Sequence, residues 1–73
     1  MERFGEKLRT LRKRRGLTLR ELADALGSPS YGYIGNLESG RRKPTLEMAV
    51  KIATFFTLSV ERLANDQLEI GEE

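Results

Sequence analysis

Two short helices joined by a tight turn are the feature that most limits how this chain can fold. Residues 18–21, Thr-Leu-Arg-Glu, form a capping-box pattern that predicts the start of the first helix. Residues 27–29, Gly-Ser-Pro, cannot continue that helix. The second helix is predicted over residues 31–39, with Ser30 as its N-cap and Gly40 just beyond its end. Two glycines inside this second helix each cost about 1 kcal/mol relative to Ala, so tertiary packing must hold it.

Hydrophobic residues at helical spacing predict three further helices around this pair. They span about residues 3–15, 46–56 and 60–64, and the last two begin after the caps Thr45 and Ser59. The chain up to residue 64 is therefore predicted to form one domain, an all-α compact bundle of five helices. The positions predicted to face its core are Phe4, Leu8, Leu11, Leu22, Ala23, Leu26, Ile34, Leu37, Leu46, Ala49, Ile52, Ala53, Phe56, Val60 and Leu63.

Residues 65–73 are predicted to form an acidic C-terminal tail with little helix. Within it, Leu68 and Ile70 alternate with polar residues, which is a weak strand-like pattern. The tail could pair with a second copy of the chain, fold back on its own domain or be disordered. The sequence leaves these alternatives open.

The composition excludes several classes of function. The chain has no cysteine and no histidine, so it offers no disulfide, no thiolate metal site and no histidine general base. Its carboxylates show no paired metal-ligand spacing on a common helix face, so no enzyme activity, metal or cofactor is expected. No apolar run reaches the roughly 20 residues of a membrane span, and the first five residues lack the apolar stretch of a signal peptide. A soluble cytoplasmic protein is therefore expected, with no membrane partner.

Charge is unevenly distributed along the chain. Residues 1–43 contain eleven Lys and Arg against five Asp and Glu, a net +6, whereas residues 44–73 contain two against six, a net −4. A basic half favours a surface that meets a polyanion. A charged face that is merely solvated is the simpler alternative.

Residues 18–40 have the organisation of a helix-turn-helix, whose second helix enters the major groove of DNA. Further short segments accompany it in a fixed order: Phe4-Gly5-Glu6-Lys7-Leu8-Arg9-Thr10-Leu11-Arg12, Gly16-Leu17-Thr18, Glu21-Leu22-Ala23, Leu26-Gly27, Tyr33-Ile34, Leu37-Glu38-Ser39-Gly40-Arg41-Arg42, Pro44-Thr45-Leu46-Glu47, Lys51-Ile52-Ala53 and Leu58-Ser59-Val60. With these segments the chain resembles the Cro/lambda-repressor-type helix-turn-helix family, also called the XRE family. The resemblance implies a sequence-specific transcriptional regulator of bacterial or phage type, with a repressor expected, which binds double-stranded DNA on the nucleoid.

The resemblance also implies which residues of the recognition helix, residues 31–39, read bases. The base-reading positions would be Tyr31, Gly32, Gly35 and Asn36. Asn36 is the strongest candidate, because an Asn amide can bond to N6 and N7 of adenine; a capping or solvated amide is the alternative. The two glycines replace side chains that often read bases in relatives, which shifts weight toward close backbone approach and DNA shape.

Phosphate contacts are implied on both sides of the recognition helix. The positions are Thr18, Leu19, Tyr33, Arg41, Arg42 and Lys43. Leu19 stands where many relatives have Gln, so only the backbone amides of that helix start would bind phosphate there. The alternatives are a solvated basic loop and, for Tyr33, a packing role.

Three structural expectations also follow from the resemblance. Arg12 and Glu38 match a structural ion pair of relatives, with Glu38 mostly buried. Thr57 stands where relatives often have Gly, so local strain is expected at that position. The turn at residues 27–29 is one residue longer than the commonest family spacing, so the angle between its two helices is open.

A homodimer is expected, because one short recognition helix covers too few base pairs to locate a site among a genome of competitors. Its candidate contact residues are Phe55, Leu63, Leu68 and Ile70, where the chain turns acidic. The alternative function is a protein-interaction module on the same fold, such as an antitoxin or coactivator-like subunit. The acidic tail favours that alternative slightly, and the basic loop argues against it.

Overall fold

The computed structural model describes residues 1–27 and 30–71, and within them the chain forms five α-helices. They are α1 (Phe4–Arg14), α2 (Leu19–Ala25), α3 (Tyr31–Ser39), α4 (Leu46–Phe55) and α5 (Val60–Ala64). The predicted all-α, five-helix architecture is therefore confirmed, and the expected bounds of α1, α3, α4 and α5 are met to within one residue. Ser28 and Pro29, on which the predicted long turn depends, lie outside the described residues.

Side-chain caps begin four of the helices where the sequence predicts them. At α2 the box is complete: Glu21 N–H donates to Thr18 Oγ1 at 3.0 Å, and Thr18 N–H donates to Glu21 Oε1 at 2.9 Å. The serine and threonine caps predicted for α3, α4 and α5 are also present. Gly40 ends α3 at φ 83°, a left-handed conformation that glycine adopts without a steric penalty. Thr57 after α4 has φ 58°, so the strain expected there is confirmed.

One hydrophobic core lies between the helices, with α1 packed against α3 and α5, α2 against α3, and α4 against α5. Two of the predicted core positions differ from expectation: Leu46 is 77% exposed, and Val60 is half-buried. Leu46 is the first residue of α4, and at this helix end its side chain is exposed rather than packed in the core. None of the described helices is long and apolar enough to cross a membrane.

The contact between α1 and α3 depends on Gly5. A Cβ atom at this position would overlap the carbonyl oxygen of Glu38 and lie 2.5 Å from the carbonyl oxygen of Leu37. Both obstacles are backbone atoms, which cannot rotate away as a side chain could. The absence of a side chain at residue 5 therefore lets α1 approach the C-terminal end of α3 closely enough to orient it.

The tail folds back on its own domain over residues 65–71 rather than forming a strand. The carboxylate of Asp66 accepts the backbone N–H groups of Glu2 and Arg3, both at 2.9 Å, and so caps the start of α1, which lacks a side-chain cap of its own. The Arg3 guanidinium bonds both carboxylate oxygens of Glu69 at 3.0 Å. The strand suggested by the alternating pattern of the tail is therefore wrong. Contacts with α1, rather than pairing with another strand, hold the backbone of the tail.

Lys7 ties α1 to the end of α5. Among the described residues, Lys7 is the one charged residue that is buried, at 2% exposure. Its Nζ donates to the carbonyl oxygens of Arg62 at 2.7 Å and Asn65 at 2.8 Å. Those carbonyls lie at and just beyond the C-terminal turn of α5, where a cation is favoured by the helix dipole.

Candidate nucleic-acid interface

The four predicted base-reading positions lie on one face of α3, opposite the side that enters the core. Tyr31 is 52% exposed and Gly32 is exposed, whereas Gly35 and Asn36 are half-buried. Ile34 and Leu37 are fully buried on the other side of the helix. Helical geometry accounts for this division, since residues three and four apart share a face.

Gly35 is half-buried because α2 crosses beside it. A Cβ atom on Gly35 would lie 3.7 Å from Cδ1 of Leu19, an ordinary van der Waals distance. Leu19 is itself half-buried and packs against the core. Leu19 therefore supports α3 through packing, as its apolar side chain suggests, while Thr18 remains exposed at the start of α2.

The basic loop after α3 is anchored to that helix. Arg42 N–H donates to the carbonyl oxygen of Asn36 at 3.1 Å, and the Arg42 guanidinium carbon lies 5.7 Å from the centroid of the Tyr33 ring. Tyr33 is half-buried against the core, so its ring serves both as packing and as a platform for Arg42. Arg41 and Lys43 are exposed, and neither forms an ion pair or a side-chain hydrogen bond with residues 1–27 or 30–71.

The predicted contact between Arg12 and Glu38 is present in the structure. Arg12 Nε donates to Glu38 Oε2 at 2.6 Å, and a second nitrogen donates to Oε1 at 3.1 Å. The remaining terminal nitrogen donates to the carbonyl oxygen of Leu17 at 2.8 Å, just before α2. Hydrogen bonding to Glu38 raises the pKa of Arg12 above its ordinary value. The pair joins α1 to the end of α3 and, through Leu17, to the start of α2.

Sequence reasoning did not single out Arg20, which the structure places beside the predicted site. Its guanidinium carbon lies 5.2 Å from the centroid of the Tyr31 ring. The two residues belong to the first turns of α2 and α3, and both are exposed. A basic residue in the first turn of α2 was the available signal, but only the crossing of the two helices brings it to Tyr31.

The predicted dimer contacts are only partly accessible. Leu63 is fully buried at 0% exposure, so its assignment to a dimer surface is wrong: its side chain is committed to the core of its own domain. Phe55 is half-buried, with its ring centroid 4.9 Å from that of Phe56. Leu68 and Ile70 are half-buried, and Ile70 packs against the core.

The residues that the structure describes contain no cluster of three or more acidic side chains able to hold a metal ion. One concave surface beside α3, of about 260 Å³, lies between the start of α1 and the basic loop, with Phe4, Leu37, Arg42 and Pro44 in its lining.

Comparison with known proteins identifies relatives for most of the chain. Residues 8–63 match the helix-turn-helix family. The chain is 40% identical over 58 residues, 80% of its length, to the HTH-type transcriptional regulator DdrOP3 of Deinococcus deserti, and covers 44% of that protein. It is 33% identical over 63 residues, 86% of its length, to the cryptic phage CTXphi transcriptional repressor RstR of Vibrio cholerae, and covers 56% of it.

The fold matches a solved structure of similar size. The restriction-modification controller protein C.AhdI from Aeromonas hydrophila superposes with a TM-score of 0.75 at 34% identity, over 85% of this chain and 92% of that one. By contrast, the chain spans about half the length of the curated relatives that it matches.

Proposed function

The chain belongs to the helix-turn-helix family, and on that basis we propose that it is a small transcriptional regulator that binds double-stranded DNA at preferred sequences. α3 enters the major groove, and the loop after it contacts the phosphate backbone. The protein acts as a repressor, by occupying DNA that the transcription machinery needs. It works in the cytoplasm of a bacterium and carries out no catalysis.

One observation carries this proposal: a basic loop follows α3 directly, next to its exposed face, and no acidic side chain among the described residues neutralises the charges of this loop. Arg41 and Lys43 have no acidic partner there, and Arg42 is held to Tyr33 by a cation–π contact and to Asn36 by a backbone hydrogen bond. A loop that served only for solubility would need no such anchoring. Fixed cations next to a helix of groove-reading size suit a polyanionic duplex.

Within this interface, Asn36 reads an adenine through its amide, and Tyr31 contributes its exposed ring. Gly32 and Gly35 let the helix backbone come close to the base edges, so part of the preference comes from groove shape. The phosphate contacts are made by Arg41, Arg42 and Lys43, with Thr18 at the start of α2 on the other side. Leu19 and Tyr33 act through packing that holds these groups in place.

We also propose that the regulator acts as a homodimer, because a single α3 covers few base pairs. The exposed apolar residues of α4, Leu46 and Val50, offer a surface for a second copy. Glu47 and Lys51 flank Val50 and make no ion pair with the described residues. If two α4 helices pack antiparallel about a two-fold axis at Val50, Glu47 of each copy faces Lys51 of the other.

Selection from a pool of random duplexes, followed by a salt titration, tests the proposed function. We expect an enriched sequence motif, tighter binding to that motif than to random duplex, and affinity for both that falls steeply with salt. If the protein does not bind random duplex even at low salt, DNA is rejected as the partner. That outcome would favour the protein-interaction module that the same fold can also support.

A further inference from the structure

Arg20, in the first turn of α2, and Tyr31, the first residue of α3, form a cation–π pair. The Arg20 guanidinium carbon lies 5.2 Å from the Tyr31 ring centroid, within the range of a cation–π contact. Tyr31 remains 52% exposed, and Arg20 is exposed as well. The pair therefore stands on the surface at the N-terminal end of the recognition helix.

The donors of Arg20 are not used by the described part of the protein. Arg20 forms no hydrogen bond or ion pair there, although two acids are near it in sequence. The carboxylate of Glu21 is occupied in the capping box with Thr18, and Asp24 makes no salt bridge to Arg20. A cation–π contact uses none of the N–H donors of the guanidinium in a hydrogen bond. Those donors form a planar fork that matches the oxygens of a phosphate.

The same arrangement recurs on the other flank of α3. There the Arg42 guanidinium carbon lies 5.7 Å from the Tyr33 ring centroid. The two contacts involve different tyrosines of the first turn of α3, which are two residues apart and therefore do not share a face of the helix. The recognition helix thus has an arginine held on an aromatic ring at each side, and each arginine has its charge turned to solvent.

We propose that Arg20 contacts a backbone phosphate of the bound duplex and that Tyr31 is the residue that positions it. This rests on the proposed function, since it names a further contact of the same interface. Stacking on Tyr31 limits the rotamers of Arg20 before DNA arrives, so less side-chain entropy is lost on binding. Phosphates follow each other along both strands, so the contact adds affinity for every sequence rather than preference for one.

The test compares single and double variants on one preferred duplex and one random duplex over a series of salt concentrations. Arg20→Ala should weaken binding to both duplexes about tenfold and reduce the salt slope by about one unit. Arg20→Lys should keep the slope, because the charge remains, but should lose affinity with the fork. Lys13→Ala removes one charge from the exposed surface of α1, away from both proposed interfaces, and controls for the loss of net charge alone.

Tyr31 is tested against Arg20 in a double-mutant cycle. Tyr31→Phe keeps the ring and should leave the salt slope unchanged, whereas Tyr31→Leu should weaken binding to both duplexes. In the Arg20→Ala background Tyr31→Leu should have little further effect on the random duplex, since the residue it positions is gone. Thermal unfolding of each variant checks that the fold is retained, which the exposure of both residues favours.

The outcomes separate this inference from the proposed function. Absence of duplex binding by the unaltered protein overturns both. If that protein binds duplex but Arg20→Ala changes neither affinity nor slope, the regulator stands and the Arg20 contact is rejected. If Arg20→Ala lowers the slope while Tyr31→Leu is fully additive with it, the positioning role of Tyr31 is rejected.

Discussion

Arg12 of α1 and Glu38 of α3 are joined by two parallel hydrogen bonds, of 2.6 and 3.1 Å, and their side chains are only 12% and 8% exposed. Because a third Arg12 nitrogen bonds Leu17 at 2.8 Å, one guanidinium connects three segments of the fold. A pair this well enclosed sets the relative position of the segments more than it adds net stability.

Breaking this pair from one side should destabilise the fold strongly. Arg12→Met leaves the Glu38 carboxylate nearly buried without its cation, which typically costs about 3–5 kcal/mol. Denaturant unfolding followed by circular dichroism measures the loss. Lys13→Ala, at the next and exposed position of α1, is the matched control and should change stability by less than about 0.5 kcal/mol. Equal, small effects of both variants would mean that the pair behaves like a surface ion pair.

Asn36 is expected to affect which sequence is bound rather than how strongly all sequences are bound. Asn36→Ala should cost about 1–3 kcal/mol on the preferred site and relax the preference at one or two positions. Its backbone carbonyl still accepts the Arg42 N–H, so the loop should keep its place. Repeating the duplex selection with the variant measures the change. Uniform weakening on every duplex would show that Asn36 does not read a base.

Arg41 and Lys43 should affect affinity without affecting preference. Each exposed cation that neutralises a phosphate contributes about 0.9 to the slope of log affinity against log salt concentration. Arg41→Ala and Lys43→Ala should each lower the slope by about that amount and leave the selected motif unchanged. A titration of both variants from low to moderate salt provides the measurement. An unaltered slope in either variant places that residue outside the interface.

The proposed α4–α4 dimer can be tested by exchanging charges. Glu47→Lys should weaken association, because it would face Lys51 of the second copy, and Lys51→Glu should do the same. The double exchange restores opposite charges across the two-fold axis and should restore the dimer. Sedimentation velocity without DNA distinguishes these cases. If neither single change affects the dimer but Leu68→Ser abolishes it, the α4 interface is rejected and the tail forms the interface.

Acid should loosen the tail from α1 through Asp66. Hydrogen bonds from the backbone N–H groups of Arg3 and Glu2 lower the pKa of Asp66 below its ordinary value of 3.8. A carboxyl group whose pKa is lower in the folded than in the unfolded protein stabilises the native state fully at pH values above its unfolded pKa. This stabilisation is lost as the pH falls through the folded pKa. The tail contact should therefore persist at neutral pH and weaken below about pH 3.8.

Comparing Asp66→Asn with the unaltered protein checks this dependence. The variant should show a smaller drop in thermal midpoint between pH 5 and pH 3, because its side chain does not titrate there. Glu61→Gln, at an exposed position of α5, serves as the control and should leave the drop unchanged. A carboxyl resonance of Asp66 that titrates at or above the ordinary value would contradict the capping role.

The helices and their starts could be predicted from the sequence because the interactions that set them are local. The Thr18–Glu21 box and the cap Ser30 each act on amides two or three residues away. Gly40 ends α3 through its own backbone freedom. Such signals depend on neighbours in the chain, which the sequence displays directly. The Arg12–Glu38 contact, by contrast, was predicted from resemblance to relatives and not from spacing.

Tertiary structure decided the features that depend on how the helices cross. Lys7 meets carbonyl oxygens near the end of α5, and Asp66 caps α1 from more than 60 residues away in sequence. Leu46 is exposed although its spacing is that of a core residue, and Leu63 is buried as its spacing predicts, which excludes it from a dimer surface. Arg20 lies on Tyr31 only because α2 packs against α3. The sequence determined which segments are helical and where charge concentrates. The angles between the helices, and close approaches such as that at Gly5, determined which side chains meet. Those angles and approaches depend on all the helices at once, so no local sequence signal reveals them.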